Sequence, residues 1–272
     1  MIDLSKIVTT VILLLICAGC GGGYYILTTP DQVGPLGEDA PVVVRLQIRD
    51  FWMVRSPAKD RPMRFRVRGG PERIAHTDEN GYAGDFVPIP DRPGRYLMTV
   101  SLTDTEGEQV NGLANLYVFD PSLPVVVVDA DALPVGSVGV AAVAAVNKIR
   151  ADNINIAYLT SRQPDDHYLV HDMLRAGGYP PGPLLMWQRQ RYRTEPWRFK
   201  LKKLIVEKRM VSQLAEMREI FPLMKYGICD STLAAEAFVD ADLQAVIIGN
   251  ARAPSIGQFR RTTWAELTRG LP

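Results

Sequence analysis

Two aspartates, Asp129 and Asp131, follow a run of four consecutive valines at 125–128. Four β-branched apolar residues without polar alternation indicate a strand buried on both faces, as in a parallel sheet covered by helices. Ligands of such sheets bind beyond the carboxyl ends of the strands, so this pair stands where an active site is expected. A carboxylate pair there can bind a divalent cation, supply a nucleophile, or act as general acid and base. The structural alternative is an aspartate turn that caps the next helix.

Polar side chains also follow two later apolar runs. Thr160 comes directly after residues 154–159, and Asp230 comes directly after 226–229. Neighbouring strand ends in one sheet lie about 5 Å apart, so these side chains and the aspartate pair are predicted to face one small ligand. Chance placement of acids in surface loops is the alternative.

The elements that would position these side chains alternate between strand and helix over residues 121–250, which predicts an α/β domain with a doubly wound, Rossmann-like parallel sheet. The predicted strands lie at 125–128, 154–159, 184–187, 226–229 and 244–248. Beyond Gly249 the sequence becomes polar, and 251–272 is interpreted as a C-terminal arm.

Residues 41–120 have a different pattern, in which apolar and polar side chains alternate. Met63, Phe65 and Val67, for example, are separated by arginines, which gives one buried and one wet face. About seven short strands fit this region, and the compact arrangement is an antiparallel β-sandwich of immunoglobulin-like type. Its expected role is to space, dock or stabilise the α/β domain.

The N-terminus contains an apolar run at 7–18 with the length and flanks of a signal-peptide core. Residues 1–20 are therefore predicted to be a signal peptide or a membrane anchor, with Cys20 as the lipidated residue of a lipoprotein or the run itself as a transmembrane segment. Residues 21–40, rich in glycine and proline, are interpreted as a linker. Both routes predict a protein anchored in the cell envelope.

Composition sets weak limits on function. The chain has 272 residues, 47% of them hydrophobic, and a formal net charge of +1, which does not demand an acidic partner. Its three cysteines cannot build a disulfide framework or a zinc site. His167 and His171 lie one helical turn apart and could bind zinc, but no Cys, Glu or third His completes a set at a useful spacing, so packing beside Leu174 is expected.

The second half of the chain resembles the haloacid dehalogenase superfamily, in particular its lipin and phosphatidate-phosphatase-like branch. The residues that carry the resemblance are VVVVDADAL, IAYLTSRQ with LRAGGYPPGPLL, and YGICDSTLAAEAF, in that order. The resemblance implies that Asp129 is the nucleophile that attacks phosphorus and that Asp131 protonates the leaving oxygen. It further implies that the Thr160 hydroxyl holds a phosphate oxygen.

The resemblance also implies a cofactor and a basic residue. Mg²⁺ would be held by Asp230, Asp129 and the backbone carbonyl of Asp131. A fixed cation at the start of the helix before the last acidic strand would be Lys208 or Arg209, and the sequence does not decide between them. The physics agrees, because an aspartate attacking a phosphate dianion needs positive charge to offset repulsion.

Two positions depart from the family pattern. Leu133 stands where threonine or valine is usual, and Ala234 stands where a second metal-binding acid is expected. The sequence therefore predicts a slow, envelope-anchored, Mg²⁺-dependent phosphomonoester hydrolase. The alternative is an inactive or weak relative that serves as a phospholigand-binding or membrane-associated module. The expected partner is a phosphorylated small molecule or a lipid headgroup, rather than nucleic acid, and the basic, aromatic stretch at 189–209 suits such a headgroup surface.

Overall fold

The computed structural model describes residues 24–51, 54–103, 107, 109–134, 139–162, 166–186, 202–249, 254 and 257–271. Across these ranges the fold is mixed, with strands arranged in three sheets and helices in the second half of the chain. The predicted signal or anchor segment, 1–20, lies outside the described residues. None of the helices in the described ranges is both long and apolar enough to cross a membrane.

The described part of residues 40–119 forms seven strands, in line with the number predicted from the alternation. They are β3 (Ala40–Phe51), β4 (Val54–Pro57), β5 (Pro62–Val67), β6 (Glu72–His76), β7 (Tyr82–Val87), β8 (Gly94–Thr103) and β9 (Gln109–Phe119). One sheet pairs β3 with β4 and β7, and the other has the order β9-β8-β5-β6, with every one of these pairs antiparallel.

These two sheets enclose one apolar core, which makes them a β-sandwich. Along β5 the side chains of Met63, Phe65 and Val67 are buried in that core, while Arg64 and Arg66 are exposed. A period of two residues therefore separates the core face from the solvent face, because successive side chains of a strand point to opposite sides. Burial of a side chain such as Phe65 contributes about 1.5–3 kcal/mol.

The predicted linker at 21–40 is wrong over residues 24–35, which form two strands of the sandwich. β1 (Tyr24–Thr28) pairs antiparallel with β3, and β2 (Gln32–Pro35) pairs parallel with β9 in the opposite sheet. The buried Gln32 side chain accepts a hydrogen bond from the Val43 N–H and donates one to the Val43 carbonyl, both at 3.0 Å. Gly34 is needed for close packing, because a Cβ there would lie 2.4 Å from the Ala40 Cβ.

The third sheet lies in the second half of the chain and is parallel throughout. Its strands are β10 (Val125–Asp129), β11 (Asn155–Thr160), β12 (Leu184–Met186), β13 (Met224–Cys229), β14 (Gln244–Ile248) and β15 (Phe259–Thr262). Their order is β12-β11-β10-β13-β14-β15, so the strand order reverses at β10, with β11 on one side and β13 on the other. In open sheets of this kind a ligand crevice forms at that reversal, beyond the carboxyl ends of the strands.

Helices cover both faces of the parallel sheet. They are α1 (Val140–Ala151), α2 (His167–Ala176), α3 (Lys202–Ile220), α4 (Thr232–Asp240) and α5 (Trp264–Leu267). Val125 and Val127 pack towards α3 and α4, whereas Val126 and Val128 pack towards α1, α2 and α5. The four consecutive valines are apolar because each face of β10 is covered by helices.

The sandwich and the parallel sheet are in contact. Tyr117 and Phe119 of β9 belong to the apolar core that contains α3 and α4. The ring of Phe119 meets the ring of Phe221 edge to face, with centroids 5.8 Å apart. This geometry favours aromatic pairs and fixes the end of the sandwich against the helical layer.

The predicted C-terminal arm at 251–272 is wrong where the structure describes it. Residues 259–262 form β15, which pairs parallel with β14 at the edge of the sheet. Thr263 begins the short helix α5 with a capping box, in which the Thr263 and Glu266 side chains bond each other's backbone N–H groups. Leu267 of this helix is buried against the core. The C-terminal segment therefore extends the sheet.

Candidate functional site

Asp129 is the last residue of β10 and is only 2% exposed. Its carboxylate accepts a hydrogen bond from the Asp131 N–H (3.1 Å) and one from the Ser231 hydroxyl (3.1 Å). Burial, followed by the negative charges of Asp131 and Asp230, raises the pKa of Asp129 to about 7, and the two hydrogen bonds only partly oppose this. A buried carboxylate close to two like charges is therefore poised to gain a proton or a cation.

Asp131 lies in a 3₁₀ turn (Ala130–Ala132) that directly follows β10, and it is exposed. One carboxylate oxygen accepts the Thr160 hydroxyl at 2.7 Å, and the other accepts both the N–H and the hydroxyl of Ser161 at 2.7 Å. The Arg162 guanidinium lies 3.4 Å from the first oxygen. These contacts hold the carboxylate in one orientation beyond the end of β11.

Thr160 is fully buried at the end of β11, the strand next to β10. Its hydroxyl donates to Asp131 and accepts the Arg162 N–H at 3.2 Å. The pairing register sets Asp129 opposite Leu159, so Thr160 reaches one residue further and meets the turn that carries Asp131. A phosphate oxygen would have to compete with Asp131 for the Thr160 proton.

Asp230 follows β13, on the other side of β10, and is exposed. One of its carboxylate oxygens lies 3.5 Å from the position that a Cβ on Gly249 would occupy, and Gly249 has a positive φ of 73°. A Cβ at residue 249 would make ordinary van der Waals contact with this carboxylate, but the positive φ would strain the backbone of any residue other than glycine. The next residue, Ser231, caps α4 by accepting the Ala234 N–H while its hydroxyl donates to Asp129.

Direct hydrogen bonds thus join Asp131 to both Asp129 and Thr160. Asp230 is linked to Asp129 in two ways, because the adjacent Ser231 hydroxyl donates to Asp129 and because the Asp230 charge raises the pKa of Asp129. Lys208 and Arg209 belong to α3, but their side chains lie outside the described residues. Ser161, Arg162 and Ser231 complete the cluster and were not predicted. Ser161 and Arg162 directly follow Thr160, and Ser231 directly follows Asp230. Their positions next to predicted strand ends could therefore have identified them.

Two positions that depart from the family pattern are buried. Ala234 is 1% exposed and packs in the core between α4 and the sheet. An acid at this position would face the core in the present packing. Leu133 is also buried, in the core on the opposite face of the sheet. Cys229 lies next to Asp230 but is buried, and this burial raises the pKa of its thiol, as expected for a packing residue.

A second cluster, which we call the Asp31 triad, consists of Asp31, His167 and His171. It is the one group of three acidic, histidine or cysteine side chains in the described ranges whose ligand atoms all lie within 4.8 Å of one another. Asp31 follows β1 and β2 begins at the next residue, while both histidines lie on α2. The structure therefore brings to the histidine pair an acidic side chain that the spacing in the sequence did not reveal.

The Asp31 carboxylate is an acceptor for four groups. The Nε2 atoms of His167 and His171 lie 3.1 and 2.8 Å from its two oxygens. Asn115 of β9 donates to the first oxygen at 2.9 Å, and the Leu184 N–H of β12 donates to the second at 2.8 Å. Burial opposes ionisation, but the histidine hydrogen bonds and charges hold the pKa of Asp31 well below its usual range.

Neither a family model nor a curated protein matches this chain. Among solved structures, CopC from Methylosinus trichosporium OB3b is 12% identical, over 36% of this chain and 94% of that chain, with a TM-score of 0.23. Fibronectin(III)-like modules of Clostridium thermocellum CbhA are 10% identical over 36% and 46%, with a TM-score of 0.22. The 2,6-sialyltransferase of Photobacterium sp. JT-ISH-224 is 10% identical over 80% and 35%, with a TM-score of 0.23.

Proposed function

We propose that this protein is a Mg²⁺-dependent phosphomonoester hydrolase whose sandwich is immunoglobulin-like and whose parallel-sheet part is haloacid-dehalogenase-like. The observation that carries the proposal is the hydrogen-bonded arrangement of Asp129, Asp131 and Thr160 at the ends of the adjacent strands β10 and β11. The resemblance to the haloacid dehalogenase superfamily implies three complementary roles for these residues in phosphoryl transfer.

Asp129 is the proposed nucleophile. One carboxylate oxygen forms a bond to phosphorus while the bond from phosphorus to the ester oxygen breaks, and Asp131 gives a proton to the departing oxygen. Water then attacks phosphorus and gives a proton back to Asp131, the bond from phosphorus to Asp129 breaks, and inorganic phosphate leaves with the Asp129 carboxylate restored. The raised pKa of Asp129 implies that the free site holds this residue partly protonated at neutral pH, so a cation is needed to keep it ionised.

Mg²⁺ fits the donor set near Asp129, because carboxylate and carbonyl oxygens are its preferred ligands. The side chains of Asp129 and Asp230 and the backbone carbonyl of Asp131 are the proposed ligands. Two negative charges beside a buried carboxylate leave it uncompensated, which supports a cation at this position. When bound, the ion would supply the positive charge that lets an anionic nucleophile approach a phosphate.

A second candidate function is phospholigand binding with little or no turnover. It is favoured by the burial of Ala234 in the core, where the family would place a second metal ligand, and by the engagement of the Thr160 hydroxyl with Asp131. For the hydrolase itself, loss of one ligand weakens cation binding without removing the nucleophile.

We therefore expect a slow enzyme that requires a high concentration of Mg²⁺.

The test is hydrolysis of a panel of phosphomonoesters by the full chain, with and without Mg²⁺. Activity that requires Mg²⁺ and is lost in Asp129→Asn supports the enzyme, and Asp240→Asn, an exposed aspartate at the end of α4, is the matched control. Activity unchanged in Asp129→Asn excludes an aspartyl phosphate. If nothing turns over while phosphate or Mg²⁺ raises the Tm, the binding function replaces the enzyme.

We also propose that the protein is anchored in the cell envelope through residues 1–20, and that its substrate is a phosphorylated small molecule or a lipid headgroup. The support is the apolar run at 7–18 followed by Cys20. Cys20→Ser separates the two anchoring routes, because lipidation requires the thiol whereas a transmembrane segment does not. Recovery of the full-length chain in the soluble cytosolic fraction would contradict both routes.

A further inference from the structure

We propose that the Asp31 triad binds a first-row transition-metal dication, with Zn²⁺ as the best match, and that this ion joins the sandwich to the parallel-sheet part of the molecule. The site is separate from the Mg²⁺ site proposed at Asp129 and uses none of its residues. Its ligands would be the Asp31 carboxylate and the Nε2 atoms of His167 and His171.

The geometry of the ligand atoms supports this assignment. Zn²⁺ binds imidazole nitrogen and carboxylate oxygen at about 2.0–2.2 Å, so two ligands of one tetrahedral ion lie about 3.3 Å apart. The distances from Asp31 oxygens to the two Nε2 atoms are 3.1 and 2.8 Å, and all three ligand atoms lie within 4.8 Å of one another. The two measured nitrogen–oxygen separations are thus about 0.2–0.5 Å shorter than those expected around a bound ion.

The histidines are preorganised by their place on α2. Residues four apart on a helix project from the same face, and the two rings stack edge to face with centroids 4.5 Å apart. His167 is buried, whereas the His171 side chain keeps 18% of its surface exposed. The exposed edge of His171 offers an ion a route to the fully buried carboxylate of Asp31.

The groups behind Asp31 have the character of an outer coordination shell. Asn115 holds one carboxylate oxygen and the Leu184 N–H holds the other, at 2.9 and 2.8 Å. Such bonds orient a ligating carboxylate and leave its remaining lone pairs directed at the metal. These donors come from β9 and β12, so the carboxylate is fixed by both halves of the molecule before an ion arrives.

The donor chemistry selects the class of metal. Two imidazoles and one carboxylate suit Zn²⁺ and its neighbours in the first transition row, whereas Mg²⁺ prefers an all-oxygen shell. Three protein ligands leave one position of a tetrahedral ion for water. The rival account is a metal-free latch in which both histidines simply donate to Asp31, and it predicts no specific uptake of metal.

Zn²⁺ titration of the tag-free, EDTA-stripped full chain distinguishes the two accounts. We expect one ion per chain with a Kd at or below about 1 µM and a rise in Tm of about 5 °C at a hundredfold excess over Kd. His171→Gln removes the imidazole but keeps an amide that can donate to Asp31, and it should weaken binding at least about a hundredfold. His76→Gln, which removes the exposed histidine of β6, should bind as the wild type does.

Two further measurements keep the test decisive. Asp129→Asn should leave Zn²⁺ binding unchanged, so a failure of the proposed hydrolase and a failure of this metal site are distinguishable. If His171→Gln does not fold, Co²⁺ added to the wild type should give visible absorption bands of a tetrahedral centre that Zn²⁺ abolishes. Wild-type chain that takes up no Zn²⁺ at 10 µM, or equal uptake by wild type and a folded His171→Gln, overturns the proposal.

Discussion

At the scale of single residues, Asp129, the proposed nucleophile, is buried at a cost to stability. Its pKa is raised to about 7 by burial and by the charges of Asp131 and Asp230. The folded protein therefore retains a proton on this group between about pH 4 and pH 7, where the unfolded chain has lost it. The contribution of Asp129 to the free energy of unfolding consequently falls as the pH rises through that window, by up to about 4 kcal/mol.

The first prediction follows from this sign. In EDTA, Asp129→Asn should raise the Tm relative to wild type at pH 8, because the amide carries no charge to bury, and should change it little at pH 4. Thermal unfolding at the two pH values measures the difference, with Asp240→Asn as the control. A Tm change of equal size at both pH values would contradict a raised pKa.

Ser231 carries the second prediction. Its hydroxyl caps α4 and also donates to Asp129, which lowers the Asp129 pKa. Ser231→Ala should cost about 1 kcal/mol of unfolding free energy through the lost cap. It should also extend the decline in stability to a higher pH, since Asp129 loses a donor to its ionised form and its folded-state pKa rises. Ser231→Thr, which keeps the hydroxyl, should restore both properties.

At the scale of elements, α4 lies directly on β13. The ring of Phe238 occupies the space over Gly227, where an added Cβ would lie 2.3 Å from a ring carbon. This close approach brings α4 and its cap Ser231 to the end of the strand that carries Asp230. The absence of a side chain at Gly227 is therefore what allows α4 to pack directly on β13.

The third prediction is that Gly227→Ala destabilises the protein by at least about 1–3 kcal/mol, because the backbone of β13 or the helix α4 must move. Denaturant unfolding measures this cost. In the background of Phe238→Leu the smaller side chain should reduce it. The two substitutions would then be less destabilising together than the sum of their separate effects. Simple additivity would show that this contact does not control the spacing.

The elements that the sequence predicted correctly are those with a burial signature. β10 and β5 could be recognised in the sequence because the order of their apolar and polar residues follows which faces of the strand are buried. β15 has no such pattern of apolar residues, because Phe259–Thr262 are largely exposed and the strand joins the sheet through backbone hydrogen bonds. β2 was hidden by Gly34 and Pro35, whose usual meaning is a loop. The Thr263 capping box was readable and would have revealed α5.

The candidate sites divide in the same way. Asp129, Asp131, Thr160 and Asp230 could be found because strand ends in a parallel sheet converge, which is a rule of topology. Asp31 could not, since its partners His167 and His171 lie 136 and 140 residues away in sequence. Contacts between residues so far apart in sequence leave no local pattern in a single chain. Of the Asp31 triad, the sequence alone indicated only the histidine pair, because its members lie four residues apart on one helix.

At the scale of the whole molecule, Asp31 connects parts of the chain that are far apart in sequence. Its four donors come from β9 in the sandwich and from α2 and β12 in the parallel-sheet part. Phe119 and Phe221 make a second, apolar contact between the same two parts. The two contacts together oppose a hinge motion of the sandwich about the connection near residue 120.

The fourth prediction is that Asp31→Ala destabilises the protein by about 3–5 kcal/mol, because it leaves buried donors without an acceptor. Denaturant unfolding followed in both halves should then separate into two transitions, whereas Asp39→Ala, at an exposed position nearby, should unfold as the wild type does. The low pKa of Asp31 means that its contribution is present above about pH 4 and is lost as the pH falls further. The difference between Asp31→Ala and wild type should therefore shrink in acid.

The start of β1 at Tyr24 also limits how far an anchored molecule could travel. Cys20 lies only four residues before this strand, and four extended residues reach about 14 Å. If Cys20 carries lipid, this short segment holds the sandwich close to the bilayer. Substrates embedded in the same leaflet would then be searched in two dimensions around a fixed point, and a substrate free in solution would have to come to the membrane.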